Sequence, residues 1–218
     1  MKFGILGTGN VGDAIGSKLA SLGHDVMMGS RTAGNEKALA FVAKNAEHTQ
    51  SGTFEEAASF GEIVFNCTKG EIALEVIAQV ADVLKGKILI DVTNPLDFSN
   101  GMPPSLIPEL SNTNSLGEEI QRRHPEVDVV KTLNTMWCGL MVNPGLIGDG
   151  NHVNYVCGNN QSAKDKTKSI LMEFGWKKEN ILDLGDITNA RATEAVLPIW
   201  LRVWGVTRNG TFNFRIIS

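Results

Sequence analysis

The chain has 218 residues, 42% of them hydrophobic, and a formal net charge of −4 from 20 basic and 24 acidic side chains. This length allows one large domain with a smaller one beside it. Because the charge is balanced and lysine and arginine form no block, nucleic acid and anionic membranes are poor candidates for partners, and a small soluble ligand is the better expectation.

Strand and helix patterns alternate through the first two thirds of the chain, which is typical of a parallel sheet with crossover helices. Strands are predicted at residues 2–6, 25–29, 48–50, 62–67, 88–92 and 128–132, and helices at 11–22, 35–44, 54–60, 71–84 and 115–123. Residues 94–114 are rich in proline and asparagine and predict a long surface loop over the carboxyl edge of the sheet. The predicted fold class is α/β, a doubly wound parallel sheet of the Rossmann type.

A smaller C-terminal α/β domain is predicted from residue 151 to residue 218. Its expected elements are strands at 153–157 and 181–184, helices at 162–174 and 188–204, and an edge strand in the tail at 208–218. The last helix has a broad apolar face, which favours core packing or a dimer interface over a ligand site. We therefore expect residues 151–218 to serve substrate binding and dimerisation, beside a nucleotide-binding domain at 1–150.

A glycine motif follows the first strand and opens the first helix. Gly7 permits a tight turn, Gly9 lets the backbone approach a pyrophosphate, and Gly12 lets the helix pack closely on the strand. The pyrophosphate would lie on the helix N-terminus, where free amides and the helix dipole favour an anion. The motif is weak alone, but its strand–turn–helix context predicts a dinucleotide site.

The end of the second strand indicates which dinucleotide is bound. An NAD site normally has Asp or Glu there for the ribose 2′-hydroxyl, whereas this chain has Ser30 and Arg31. A hydroxyl beside a guanidinium suits a 2′-phosphate, so we predict NADP. The alternative for Arg31 is a solvated surface charge.

Four segments are expected to meet at the carboxyl edge of the sheet, at residues 7–12, 67–70, 93–96 and 133–138. Asn134 could orient a nicotinamide carboxamide or a second substrate, or it could cap a turn. Lys131 falls in a strand pattern, so its geometry need not match that of a lysine base. Cys138 has no neighbouring base in the sequence that would make it a nucleophile.

None of these four segments contains a Ser/His/Asp or Cys/His set. The four histidines of the chain lie elsewhere and show no spacing typical of metal ligands. Three widely spaced cysteines without a C-x-x-C pair argue against disulfides and zinc. No apolar run reaches the length of a membrane span and no leader pattern follows Met1, so we expect a cytoplasmic protein. Hydride transfer between two redox cofactors needs proximity more than proton donors, and it fits this absence of acid and base.

With these residues in view, the chain resembles the NADP oxidoreductases that use the deazaflavin coenzyme F420 and, more distantly, the oxidoreductase domain of membrane ferric reductases. The likeness runs nearly end to end and includes residues 7–12, 29–31, 156–159, 189–191 and 209–210. The resemblance implies hydride exchange between NADPH and a flavin-like acceptor, on a Rossmann domain with a small C-terminal domain, in a homodimer.

The resemblance also implies roles for single residues. The pyrophosphate would be held by Thr8, Gly9, Asn10 and Val11, the 2′-phosphate by Ser30, Arg31 and Lys37, and Thr68 and Cys138 fall where the family contacts the cofactor. Asn94 and Asn134 are further candidates for cofactor binding because of their predicted place at the carboxyl edge. This sequence has two more residues before Lys37 than members of that family have before the corresponding lysine. The chain departs from the deazaflavin-using members at Asn134, where they have histidine, and at Trp137, where they have proline; Asn134 is similar to the ferric-reductase branch.

The leading hypothesis is therefore an NADPH-dependent oxidoreductase with a flavin or deazaflavin as hydride acceptor and no assigned catalytic side chain. One alternative is an NADP-binding regulatory protein or sensor without turnover, with which the missing acid and base are compatible. The other is a reductase of a small imine or carbonyl substrate, which would need a proton donor near Asn134 or Arg191.

Overall fold

The computed structural model describes residues 1–45 and 47–217 and is organised around one eight-stranded sheet. Its strands are β1 (Lys2–Leu6), β2 (Asp25–Ser30), β3 (Thr49–Thr53), β4 (Ile63–Asn66), β5 (Ile88–Asp91), β8 (Asp128–Thr132), β9 (Asn154–Gly158) and β10 (Ile181–Asp183). The spatial order is β10-β9-β8-β5-β4-β1-β2-β3. The pair β8–β9 is antiparallel, and the other neighbours in the sheet pair in parallel.

Helices cover both faces of this sheet. They are α1 (Asn10–Ser21), α2 (Glu36–Asn45), α3 (Phe54–Phe60), α4 (Gly70–Leu84), α5 (Leu116–Arg123), α6 (Cys138–Val142), α7 (Gln161–Glu173) and α8 (Ala190–Thr207). Alternate strand residues enter opposite layers, as the two-residue period of a strand requires. Phe65 of β4 packs with residues of α1, α2 and α7 on one face, and Val64 packs with residues of α3, α4 and α5 on the other.

The predicted fold class is confirmed: the protein has a mostly parallel sheet with flanking helices and a helical C-terminal region. Strands β9 and β10 lie beyond residue 150 and extend the same sheet. The division of the chain near residue 150 stays a prediction. Because the chain runs outward from β1 through β2 to β3 and then returns to β4 on the other side of β1, the strand order reverses between β1 and β4. Ligands of open α/β sheets bind at this place.

Two sequence predictions were wrong in part. The expected loop at 94–114 contains a short antiparallel ribbon, β6 (Leu96–Asp97) with β7 (Ser105–Leu106), and a turn of 3-10 helix at Pro108–Leu110. The expected edge strand in the tail is absent from residues 208–217, and Ser218 lies outside the described residues. The tail is held by aromatic packing and by a backbone hydrogen bond: Phe212 stacks on Trp200 with ring centroids 5.2 Å apart, and the Val153 amide donates to the Phe214 carbonyl at 3.0 Å.

Candidate functional site

Gly7 and Gly9 lie in the turn between β1 and α1, and Gly12 lies in the first turn of α1. Gly7 has a φ of +120°, and a Cβ there would lie 2.6 Å from the carbonyl oxygen of Cys67. A Cβ on Gly12 would clash with the carbonyl oxygen of Gly7, so this glycine permits close packing of helix and turn. A Cβ on Gly9 would meet no atom within 4 Å. Packing therefore explains Gly7 and Gly12, while the bare backbone at Gly9 leaves room for a ligand.

Helix α1 begins at this turn with Gly9 as its N-cap, and glycine has no side chain that could accept a hydrogen bond from the amides of the first turn. The first amide that bonds within the helix is that of Asp13, which donates to the Gly9 carbonyl at 2.9 Å. Residues 10–12 precede it, and the helix offers their N–H groups no acceptor. The Asp13 carboxylate accepts from Lys44 Nζ at 2.8 Å, which offsets its negative charge near the turn. The helix start is thus suited to an anion.

A cleft of about 510 Å³, here the first cleft, extends from the glycine turn to the end of β2. Its lining includes Gly7, Thr8, Gly9, Ser30, Arg31 and Lys37. Arg31 and Lys37 are exposed, and neither forms a salt bridge within residues 1–45 and 47–217. Asn35 Oδ1 accepts from the Lys37 amide at 3.0 Å and so places that lysine in the first turn of α2. Two cations that the protein leaves uncompensated make this end of the cleft a site for a phosphate.

Ser30 is buried beside Arg31, and its hydroxyl donates to the carbonyl of Thr32 at 2.6 Å. This hydrogen bond shapes the turn that presents Arg31. To donate to a phosphate, the hydroxyl would have to rotate away from the carbonyl. The guanidinium needs no such change, because it carries its donors in a fixed planar fork.

A second cavity of about 410 Å³, here the second chamber, adjoins the first cleft and shares Thr68, Lys69 and Glu71 with it. The rest of its lining includes Val11, Val92, Thr93, Asn94 and Phe98. Residues 68–71 follow β4, residues 92–94 follow β5, and Val11 lies in the first turn of α1, so the chamber lies beside the point where the strand order reverses. Phe98 is 50% exposed and forms an apolar rim. The two cavities therefore lie side by side along the carboxyl edge of the sheet.

Asn94 and Asn134 are joined by two hydrogen bonds. Asn94 Nδ2 donates to the Asn134 carbonyl at 2.8 Å, and Asn134 Nδ2 donates to Asn94 Oδ1 at 2.9 Å. Asn134 is 1% exposed, and its Oδ1 has no hydrogen-bond partner among the described residues. Asn94 lines the second chamber, whereas Asn134 supports it from behind. A role for Asn134 in cofactor binding stays a prediction, and its free group is the amide oxygen.

Cys138 begins α6 and packs against the core that contains α1. Burial raises the pKa of its thiol. The thiol is therefore protonated near neutral pH, which disfavours it as a nucleophile. Its predicted contact with the cofactor is not tested by this geometry.

A buried ionic cluster adjoins the second chamber through Thr93, which lines the chamber and accepts a hydrogen bond from the cluster. Lys131 Nζ, which is fully buried, donates to Asp91 Oδ2 at 2.7 Å and to the Thr93 carbonyl at 2.6 Å, and forms an ion pair with Glu194 Oε1 at 2.7 Å. Burial alone would lower the pKa of Lys131, but the two carboxylates outweigh it and the pKa is raised. Glu194 also accepts from the amides of Leu116 and Gly117 at the start of α5. The cluster joins β5, β8, α5 and α8.

The comparisons with known proteins agree with this geometry. The family described as "NADP oxidoreductase coenzyme F420-dependent" matches residues 2–95. The crystal structure of a putative F420-dependent NADP reductase from Arthrobacter sp. FB24 is 42% identical, covers 100% of both chains and superposes with a TM-score of 0.92. The chain belongs to this family of NADP oxidoreductases. It is an NADP-dependent oxidoreductase, and the family implies NADP as its nucleotide.

Two further relatives show how far the likeness extends. The F420-dependent NADP reductase of Methanocaldococcus jannaschii is 27% identical over 211 residues, which are 91% of this chain and 90% of that protein. Metalloreductase STEAP3 of Rattus norvegicus is 32% identical over 210 residues, which are 91% of this chain but 38% of that protein. The chain thus spans less than half of the metalloreductase.

Sequence reasoning found the glycine turn and the residues at the end of β2, and the structure brings Ser30, Arg31 and Lys37 into one cleft with that turn. The sequence analysis missed Asp91 and Glu194, and it assigned no role to Lys131 or to Thr93, although it placed Thr93 at the carboxyl edge. The signal was a charge inside an apolar pattern: Lys131 in strand β8 and Glu194 on the apolar side of α8. Such charges are rarely buried unless they are paired, so each predicts a partner that the sequence does not identify.

The described part of the chain contains neither a cluster of potential metal ligands nor a helix fit to span a membrane. Residues 1–45 and 47–217 hold no group of three or more His, Cys, Asp or Glu side chains placed to bind a metal ion. Within the same residues, no helix combines the length and the hydropathy that crossing a bilayer requires.

Proposed function

We propose that this NADP oxidoreductase transfers a hydride between NADP(H) and a flavin or deazaflavin (F420-like) acceptor. The observation that carries the proposal is that the first cleft and the second chamber lie side by side and share Thr68, Lys69 and Glu71. A dinucleotide can extend from Arg31 across the glycine turn and place its nicotinamide at the ends of β4 and β5. The names of the relatives matched over nearly the whole chain support F420 as the acceptor.

In this proposal, the first cleft holds the adenosine half and the pyrophosphate. The pyrophosphate rests on Thr8, Gly9, Asn10 and Val11, with bare backbone at Gly9 and amides at the helix start without an acceptor. Arg31 and Lys37, with Ser30 beside them, bind the 2′-phosphate. These contacts would make binding selective for NADP over NAD, because the unphosphorylated ribose leaves both cations without a partner.

The lining of the second chamber favours a flavin-like acceptor over a carbonyl or imine substrate, because the part of it that the structure describes lacks a buried proton donor. Among the described residues that line it, the titratable side chains are Lys69 and Glu71, 3.5 Å apart, and Lys69 is 80% exposed. Neither is a buried proton donor of the kind that reduction of a carbonyl or an imine would require. When bound, the nicotinamide supplies the hydride, and the protein supplies proximity and orientation.

The test is a panel of acceptors at fixed NADPH, with oxidation followed at the nicotinamide absorbance band. The panel contains F420, FMN, FAD, a cyclic imine and a ferric chelate. We expect turnover with F420 or a flavin, and slow or no turnover with the imine. Turnover of the imine alone, or oxidation supported by the ferric chelate but by none of the ring systems, would contradict the proposal.

We also propose that the protein is a homodimer formed through the C-terminal region. Side chains of α8 and of the tail expose apolar surface: Ile199 is 51% exposed, Val206 86% and Ile217 83%. Exposed apolar surface on one element is typical of an interface between subunits. Light scattering in solution should give twice the chain mass of 23.5 kDa.

A further inference from the structure

Two threonines that line the second chamber direct their hydroxyl protons toward the protein interior. Thr93 Oγ1 lies 2.7 Å from Asp91 Oδ1, and Thr68 Oγ1 lies 2.7 Å from Asn66 Oδ1. An ionised carboxylate only accepts hydrogen bonds, so the Thr93 hydroxyl is the donor to Asp91. The orientation of Thr68 depends on which way the amide of Asn66 faces.

Asp91 fixes that amide. Asn66 Nδ2 donates to Asp91 Oδ1 at 2.9 Å, which turns the amide oxygen of Asn66 toward Thr68. Lys131 Nζ holds the other carboxylate oxygen at 2.7 Å. Asn66, Asp91 and Lys131 are each fully buried, so water does not compete for these groups. One buried carboxylate therefore sets the direction of both hydroxyls.

The result is a chamber with hydrogen-bond acceptors in its floor. With its proton committed inward, each threonine hydroxyl can offer a ligand only lone pairs. Asn94, which also lines the chamber, has its Nδ2 and its Oδ1 both committed to Asn134, so the two threonines are the acceptors with lone pairs left for a ligand. Acceptors that are held in fixed positions favour a ligand group that carries N–H donors and disfavour a carbonyl or carboxylate oxygen.

We propose that Thr68 and Thr93 determine specificity by accepting hydrogen bonds from an N–H donor of the ligand, and that Asp91 is the residue that positions them. This inference rests on the proposed function, in which the ligand is NADP(H). The N–H donor is then the carboxamide NH₂ of the nicotinamide half of the nucleotide. A threonine-to-valine change removes the acceptor while keeping the side-chain shape, and a threonine-to-serine change keeps the acceptor.

The test compares binding of NADP⁺ with binding of its 3-acetylpyridine analogue, in which a methyl group replaces the carboxamide NH₂. Dissociation constants are measured by calorimetry for the wild type and for Thr68→Val, Thr93→Val, Thr68→Ser and Thr93→Ser. We expect the wild type to prefer NADP⁺ by about three- to tenfold, the value of one or two hydrogen bonds. Each valine variant should lower this preference, and each serine variant should retain it.

Asn66→Leu tests the positioning by Asp91. It removes the acceptor beneath Thr68 and leaves the threonine itself in place, so we expect it to lower the preference as Thr68→Val does. In the double variant Asn66→Leu/Thr68→Val the two effects should not add, because both act on one hydroxyl. Additive effects would contradict the relay from Asp91 through Asn66. Thermal unfolding of each variant without nucleotide separates a loss of fold from a change in preference.

Two results would overturn the inference. If the wild type bound NADP⁺ and the analogue equally, the carboxamide NH₂ would not be the donor. If both valine variants kept the preference of the wild type, the threonine hydroxyls would not be the acceptors. Either result leaves the proposed function intact. Failure of the wild type to bind NADP⁺ at all would instead contradict the proposed function together with this inference.

Discussion

Arg31 is the residue on which the preference between NADP and NAD depends. It is exposed in the first cleft and carries a guanidinium without a salt bridge in the described chain. We predict that Arg31→Ala weakens NADPH binding about ten- to a hundredfold, the effect of losing about 1.5–3 kcal/mol from a charge-assisted pair. NADH binding should change little, and Arg31→Lys should fall between the two. Fluorescence titration with both nucleotides measures this, and equal weakening of NADH would remove Arg31 from the 2′-phosphate site.

Gly9 and Gly12 separate a ligand-facing glycine from a packing glycine. A Cβ on Gly9 meets nothing within 4 Å, and its φ of −79° is open to any residue, whereas a Cβ on Gly12 clashes with backbone. We predict that Gly9→Ala keeps the thermal midpoint of the free protein but weakens dinucleotide binding at least about tenfold. Gly12→Ala should lower the midpoint by several degrees.

Gly145 provides the matched control for these two variants, since a Cβ there also meets nothing within 4 Å. Gly145→Ala should alter neither the thermal midpoint nor the binding of the dinucleotide. If Gly9→Ala bound NADPH as the wild type does, the pyrophosphate would not approach the backbone at this turn.

At the scale of elements, local signals were sufficient wherever an element is determined by its own sequence. Helix α3 was predicted at residues 54–60, and the structure shows a complete capping box between Thr53 and Glu56 that stabilises its start. Helix α6 and the ribbon of β6 with β7 were not predicted. At five and two residues, they are too short to show a hydrophobic period, and contacts with distant residues hold them.

The residues of the candidate site also fall into two groups, those that a local sequence pattern predicts and those that it does not. The glycine turn and Ser30–Arg31 were readable because the motif and its spacing are local. The Asp91–Lys131 pair was not readable, since its partners are 40 positions apart and meet only when β5 and β8 pair. A local sequence pattern does not predict which buried carboxylate pairs with a buried lysine.

Strand β10 and helix α7 are joined by ion pairs that should make stability depend on pH. Burial alone would raise the pKa of Asp183, but Lys168 at 2.6 Å, Lys164 at 2.9 Å and the Gly185 amide hold it well below its ordinary value of 3.8. This stabilisation is present above about pH 4 and is lost as the pH falls toward the folded-state value. We predict that the thermal midpoint falls less between about pH 5 and pH 3 in Asp183→Asn than in the wild type. If the thermal midpoint fell equally with pH in the wild type and the variant, Asp183 would not contribute to the pH dependence of stability.

At the scale of the whole molecule, Lys131 connects the two regions on either side of residue 150. It bonds Asp91 of β5 and Glu194 of α8, and Lys131→Met would leave both carboxylates buried without a cation. We predict that this variant loses about 3–5 kcal/mol of unfolding free energy, since breaking a buried pair leaves uncompensated charge. Lys44→Met breaks the exposed pair with Asp13, which has a similar 2.8 Å separation, and should cost at most about 1 kcal/mol.

Urea unfolding followed by circular dichroism and by tryptophan fluorescence shows whether the regions unfold together. Because the cluster joins β5, β8, α5 and α8, we expect the two probes to give one coincident transition in the wild type, and Lys131→Met to shift both by the same amount. A transition that shifts in one probe and stays in place in the other would show that residues 151–218 unfold as a separate domain. In that case the cluster would stabilise one region alone, and the second chamber would depend on the nucleotide-binding region without help from α8.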